Sequence, residues 1–353
     1  MVLLCSDFGV TAQSSPQNFA TLLEQAKSSY QAGDFPESQR LWQSLVQHFA
    51  AQKDALNQAM ALGNVSLVSQ KMGDWQTAKT AIAESQKLLN QAEGKPGQQT
   101  ILAQSLDIQG QLELSQDNAK KAIETWQGAA KIYQTLNDRQ NYINSQINQS
   151  LAYQAQGLSS RACQTLLSLL DPSSLDCRPQ GISTPLTELQ LTFPPNTSPK
   201  NQRRTLHVLS DVLRNLGQFQ AAYLVAFQQW QLADETQSPS NLAQAELTLS
   251  NAALAIADQK LIEDNAAGRM TLVSIDPTQE CLAEPLIGRA EQYYQQAAAC
   301  YQQAVSRASQ DKTNQLQAQL NLLSLELHLG SPSQTPQLFP DIQQTLNTLP
   351  INR

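Results

Sequence analysis

The chain is 353 residues long, with 41% hydrophobic and only 15% charged residues, a net charge of -7 and a pI near 5.0. That balance argues against a nucleic-acid or anionic-membrane partner, since those surfaces are held mainly through lysine and arginine and no basic run is present. Glutamine is about one residue in seven, alanine and leucine abound, and valine, isoleucine and aromatics are sparse, so the intrinsic preference is helical almost throughout.

Residues 1–17 form an N-terminal segment with a short apolar patch, Val2, Leu3, Leu4, Phe8 and Val10, interrupted by Asp7 and lacking a basic n-region. It reads either as the remnant of an export signal or as a frayed terminus. The compartment therefore stays open between exported or periplasmic and cytoplasmic. No stretch approaches the length needed to span a membrane.

Between Ala59 and Leu89 an apolar segment (Met60, Leu62, Val65, Leu67, Val68) meets Gly73, Asp74 and Trp75, then continues as Ala78, Ile82, Ser85 and Leu89. This predicts a helical hairpin, with glycine ending one helix and aspartate capping the next. The unit recurs. The small residue of the second helix falls at Ser38, Ala78, Ala122, Ala162, Ala222, Ala297 and Thr335, spaced by 40, 44, 40, 60, 75 and 38 residues. Four residues on stand Trp42, Ile82, Trp126, Leu166, Ala226, Tyr301 and Phe339. The turns read Gly33-Asp34-Phe35, Gly73-Asp74-Trp75, Gly157-Leu158 and Gly217-Gln218-Phe219, whereas Asp117-Asn118-Ala119 replaces the glycine turn in the third unit and Gly330-Ser331-Pro332 loses the aromatic in the last.

This pattern resembles the tetratricopeptide repeat (TPR), over about residues 18 to 349. The resemblance implies an all-α fold, a right-handed α-α superhelix (TPR-like solenoid) of about seven helical hairpins with two insertions. Repeats 1–4 are expected in residues 18–170 and repeats 5–7 in 201–349. Between them, residues 171–200 carry six prolines that forbid a continuous helix and mark an excursion. A second insertion is expected at 260–287, where Met270-Thr271-Leu272-Val273-Ser274-Ile275 is the one β-like run. The long repeats, the proline-rich break and the Leu349-Pro350-Ile351-Asn352-Arg353 close are similar to the N-terminal repeat region of cyanobacterial CHAT-domain (caspase-like) proteins. Nothing matches the protease part: His48, His207 and His328 lack a catalytic context, so that resemblance implies a scaffold half or a truncated piece, not a peptidase.

Two readings of the cysteines stand side by side. Cys163 with Cys177 would close a short loop as a disulfide. Alternatively Cys163 and Cys300 sit at interior-facing helical positions as free, small hydrophobes, the reading that periodicity favours. No Cys-x-x-Cys or His cluster suggests a metal, and no motif calls for a cofactor.

In an array of the resembled kind the first helices line a concave groove. Its slots hold Asn64, Asn148, Asn251 and Asn321, a carboxamide ladder suited to the backbone of an extended peptide or, equally, to bonding neighbouring helices. Lys71 and Gln104 belong to the same candidate ligand-binding set. Arg204, His207, Asp211 and Arg214 share one helical face and could fix a ligand carboxylate, or form a solvated face whose ion pairs are worth little. Trp42 and Trp126 occupy the helix-packing position, which makes core a better reading than a recognition stripe with Trp75 and Trp230. The expectation is a non-enzymatic scaffold that binds a peptide or protein segment, with a CHAT-type protease domain as one partner and self-association through the C-terminal face as another route.

Overall fold

The computed structural model describes residues 16–171, 175–179, 189–236, 238–266, 280–281, 288–329 and 335–349. The export-signal reading of residues 1–15, the β-like run at 270–275, the Gly330 turn and the Leu-Pro-x-x-Arg close beyond residue 349 lie outside them. Among the described residues there are no strands, and fourteen α-helices succeed one another.

Two compact units divide the chain near Gln156. The first contains α1 (Pro16–Gln31), α2 (Phe35–Ala51), α3 (Ala55–Lys71), α4 (Trp75–Gln91), α5 (Gln98–Ser115), α6 (Ala119–Thr135) and α7 (Arg139–Ala155). The second contains α8 (Ser159–Leu167), α9 (Pro199–Asn215), α10 (Phe219–Asp234), α11 (Pro239–Ala266), α12 (Ala290–Arg307), α13 (Lys312–Leu329) and α14 (Thr335–Thr348).

Most consecutive helices of the first unit are separated by three residues, the last two of which form a joint that serves both neighbours. Gly73 takes φ +73°, the Asp74 N–H donates to the Ser69 carbonyl at 2.9 Å to close α3, and the Asp74 carboxylate accepts from the Thr77 N–H at 3.1 Å to open α4. Gly33-Asp34 repeats this arrangement. Lys53-Asp54 and Asn137-Asp138 do the same with a non-glycine residue at φ 57° and 56°. Asp117, where the glycine signal is lost, adopts φ 57° itself and the Asn118 N–H closes α5 on the Glu113 carbonyl at 2.9 Å, so the closing half of the joint survives while the side-chain cap on α6 does not.

The small residues of the repeat register, Ser38, Ala78, Ala122, Ala162, Ala222 and Ala297, are all completely buried. Ser38 uses its depth to donate to the Ala26 carbonyl at 2.9 Å, and Ser85 to the Ala59 carbonyl at 2.7 Å. The bulky residues four positions on are buried too, except Phe339, which no described element covers. Trp126 lies so close to Gly110 that a Cβ there would stand 2.7 Å from the indole.

In the second unit α8 stops after nine residues, and the chain beyond it packs instead of looping free. Leu175, Cys177 and Leu191 are buried. The Gln218 side chain donates to the Asp176 and Arg178 carbonyls, and the Gln228 amide clamps Leu191 at both its N–H and its carbonyl. Cys163 and Cys177 form a disulfide across a Cα–Cα distance of 5.6 Å, and Cys281 and Cys300 form another across 4.7 Å. The free-thiol reading of Cys163 and Cys300 therefore fails. Both are interior-facing, as helical periodicity suggests, but their partners come from non-helical connections whose path periodicity cannot trace.

Candidate functional site

The first helices of successive hairpins are spatial neighbours within each unit, and polar side chains tie them together. In the first unit Gln70 of α3 donates to the Ile108 carbonyl of α5 at 3.2 Å. Asp107 of α5 accepts from Ser145 of α7 at 2.7 Å and from Tyr133 of α6 at 2.9 Å, while its own carbonyl accepts from Trp126 Nε1. Burial, then the Asp107 carboxylate, holds the Tyr133 phenol well above its usual range, so Tyr133 stays a donor.

Asn64 and Gln104 are buried, and Asn64 donates to the Met60 carbonyl of its own helix at 3.1 Å, with its Oδ1 buried and unbonded among the described residues. Asn148 is half-buried and Lys71 is exposed. The structure thus spreads the first-unit candidates over several depths.

The second unit gathers its candidates more closely. His207 of α9 meets Thr248 of α11 at 2.8 Å, and the Thr248 hydroxyl itself donates to the Gln244 carbonyl. That hydroxyl must then accept from His207 Nδ1–H, which leaves Nε2 as the bare acceptor. Burial lowers the His207 pKa, with Arg204 and Arg214 reinforcing the shift and Asp211 opposing it, so the imidazole is held neutral. Arg214 pairs with Asp211 at 3.2 Å and both are half-buried, as is Arg204.

Asn251 of α11 is the hub. Its Oδ1 accepts from Tyr301 of α12 at 2.6 Å and from Asn321 of α13 at 3.0 Å, and Asn321 in turn accepts from Gln317 at 2.8 Å. The Asn251 Nδ2 hydrogens have no bond among the described residues. Two turns along α11, Asp258 accepts from Tyr294 at 2.7 Å, and His328 of α13 stands 3.8 Å away. Among the described residues the face therefore presents unbonded amide donors, a bare imidazole nitrogen and an arginine held by a carboxylate, with Asn251 and Asp258 braced by tyrosines.

Thr248, Asp258, Tyr294 and Tyr301 belong to this network although sequence reasoning gave them no site role. Thr248 and Asp258 lie three residues before and seven after Asn251, the helical spacing that could have revealed them. Of the four tryptophans, Trp42 and Trp126 are core, while Trp75 is 39% exposed. Among the described residues no group of three His, Cys, Asp or Glu gathers to hold a metal, and no helix is long and apolar enough to cross a membrane.

No family model matches the chain, and no curated protein matches its sequence. Solved structures do. The apo form of RapI superposes with TM-score 0.55 at 10% identity, covering 95% of this chain and 76% of that one. A monomeric IFIT1 mutant with Gppp-AAAA superposes with TM-score 0.51 at 12% identity, covering 96% of this chain and 62% of that one. The TPR-like repeats of a kinesin light chain from Podosopora anserina give TM-score 0.45 at 15% identity, over 64% of this chain and 99% of that one. Identities this low speak for architecture alone: the chain is similar to helical-repeat proteins and has an all-α fold of the TPR type.

Proposed function

We propose that this chain is a non-enzymatic interaction scaffold that holds an extended peptide or protein segment against its first-helix face. The observation that carries the reading is Asn251, whose carbonyl is fixed by Tyr301 and Asn321 while its Nδ2 hydrogens have no bond among the described residues. A carboxamide oriented in this way offers donors to a backbone carbonyl at no cost in rotamer entropy on binding. Arg214 and His207 would extend the contact within the same unit, and Arg204 would favour a segment bearing a carboxylate. The IFIT1 structure contains Gppp-AAAA; the net charge of -7 here speaks against such a ligand.

Asn251→Asp tests the reading with little perturbation, because it keeps the acceptor for Tyr301 and Asn321 and converts the donors into a charged acceptor. Affinity capture from the source lysate with wild type and variant, read by mass spectrometry, should show a specific protein depleted at least about tenfold with the variant at unchanged Tm. Equal recovery with both baits would remove the reading. The narrower idea, that the partner is a CHAT-type caspase-like protease domain, rests on the sequence pattern alone and would require that domain to be the protein captured.

A second reading has its own observation. Leu320 and Leu327 on α13, and Phe339 and Leu346 on α14, are each seven residues apart and 43 to 60% exposed. We propose self-association through this face. Mass measured by sedimentation should rise with concentration for the wild type and stay monomeric for Leu327→Glu with Phe339→Glu.

A further inference from the structure

Glu246 of α11 is completely buried, and every group around it has an assignable role except one. Its Oε1 lies 3.2 Å from Arg307 Nε of α12. Gln303, one turn before Arg307, bridges two neighbours in the orientation that pairs both its amide atoms: Nε2 donates to Glu246 Oε1 at 3.2 Å, and the amide oxygen accepts from the Cys281 backbone N–H at 3.2 Å. Cys281 is in turn disulfide-bonded to Cys300, one turn further back on α12. The exception is Glu246 Oε2, buried without a hydrogen bond among the described residues.

The charged groups facing Glu246 are Arg307 from α12 and Asp234 from α10; Arg307 favours the carboxylate and Asp234 opposes it. Burial outweighs both and pushes the carboxyl up to about 7. Any opening that wets Glu246 returns it towards the ordinary carboxylate range. The closed junction therefore binds a proton more tightly than the open one, and by linkage opening becomes easier as pH rises through neutrality.

We propose that the Cys281–Gln303–Glu246 cluster is a pH-sensitive joint: the neutral acid keeps it dry and closed, whereas the carboxylate draws water to its unpartnered oxygen and loosens the hold of Gln303 on Cys281. Above neutral pH the disulfide is then, among the described residues, the remaining side-chain tether of Cys281 to α12. This device stands independently of what binds the first-helix face.

Reduction by a phosphine tests it on the full chain. The rate of opening of Cys281–Cys300 is divided by that of Cys163–Cys177, which serves as the internal reference, with both read by alkylation and mass spectrometry. Full wetting of one carboxyl whose pKa falls from about 7 to the ordinary 4.5 raises the ratio about tenfold between pH 6 and pH 8. Glu246→Gln, neutral and nearly isosteric, should give a low ratio with no pH dependence. Arg307→Ala removes the group favouring ionisation at a partly exposed position, so its midpoint should move to higher pH. A flat wild-type ratio, the wild-type profile persisting in Glu246→Gln, or an unmoved midpoint in Arg307→Ala would each overturn the proposal.

Discussion

At the scale of single residues, the two-residue joints make opposite predictions for positions with the same backbone. Gly73 sits at φ +73° with nothing within 4 Å of where a Cβ would be, so Gly73→Ala should cost about 1 kcal/mol through backbone strain alone. Lys53 and Asn137 already carry that strain, and Lys53→Gly should be neutral to stabilising by up to about 1 kcal/mol. Urea titration of the three proteins measures both. Gly110 is different, because the obstacle there is the Trp126 ring; Gly110→Ala should destabilise by about 1 to 3 kcal/mol, and Trp126→Phe in the same chain should recover part of the loss. The glycine-aspartate turns were legible because αL geometry has a strong residue preference. Lys53 was not, since nothing in its own chemistry announces a left-handed backbone, whereas the αL preference of asparagine made Asn137 a signal within reach.

Among the elements, the second helices show where sequence reading reaches and where it stops. Six register positions proved fully buried, because a helix pressed against its neighbour admits little but a small side chain there and the pattern repeats at visible intervals. The prolines after residue 170 announce a break in the helix, but the packing of the chain beyond α8 was hidden. Its completion by Leu175, Cys177 and Leu191 depends on a disulfide and on the amides of Gln218 and Gln228, contacts made between residues up to 42 apart. Deleting residues 175–198 should therefore lower the stability of the second unit and broaden its transition, instead of leaving it intact as removal of a surface loop would. Cys163→Ser with Cys177→Ser should cost about 2 to 4 kcal/mol, measured by denaturant midpoint. The candidate site was legible to the same degree. Asn251 and Asn321 could be read as equivalent slots, but their mutual hydrogen bond could not, because it depends on how α11 and α13 stack.

For the molecule as a whole, two buried groups of the second unit set opposing pH dependences. His207 has a depressed pKa, so acidification below its ordinary value of 6.5 charges the unfolded chain first and lowers stability. Glu246 has a raised pKa, so its penalty is absent below 4.5, grows as pH rises to about 7 and is complete above, on the order of 3 kcal/mol. Between pH 4.5 and 6.5 the two slopes cancel in part. Glu246→Gln should be more stable than wild type at pH 8 and should lose stability on acidification below pH 6.5, an outcome that chemical denaturation at five pH values would establish. A variant no more stable than wild type at pH 8 would show that Arg307 already offsets the burial of the charge.

The double-duty joints also determine where the chain can change length. Inserting one residue between Gly73 and Asp74 would separate the closing bond of α3 from the opening bond of α4 and turn the next helix by about 100° about its axis, moving its buried stripe to the solvent. The connection after α8 is held in another way, through the Cys163–Cys177 disulfide and the amides of Gln218 and Gln228. For engineering, the short joints should be treated as having a fixed residue count.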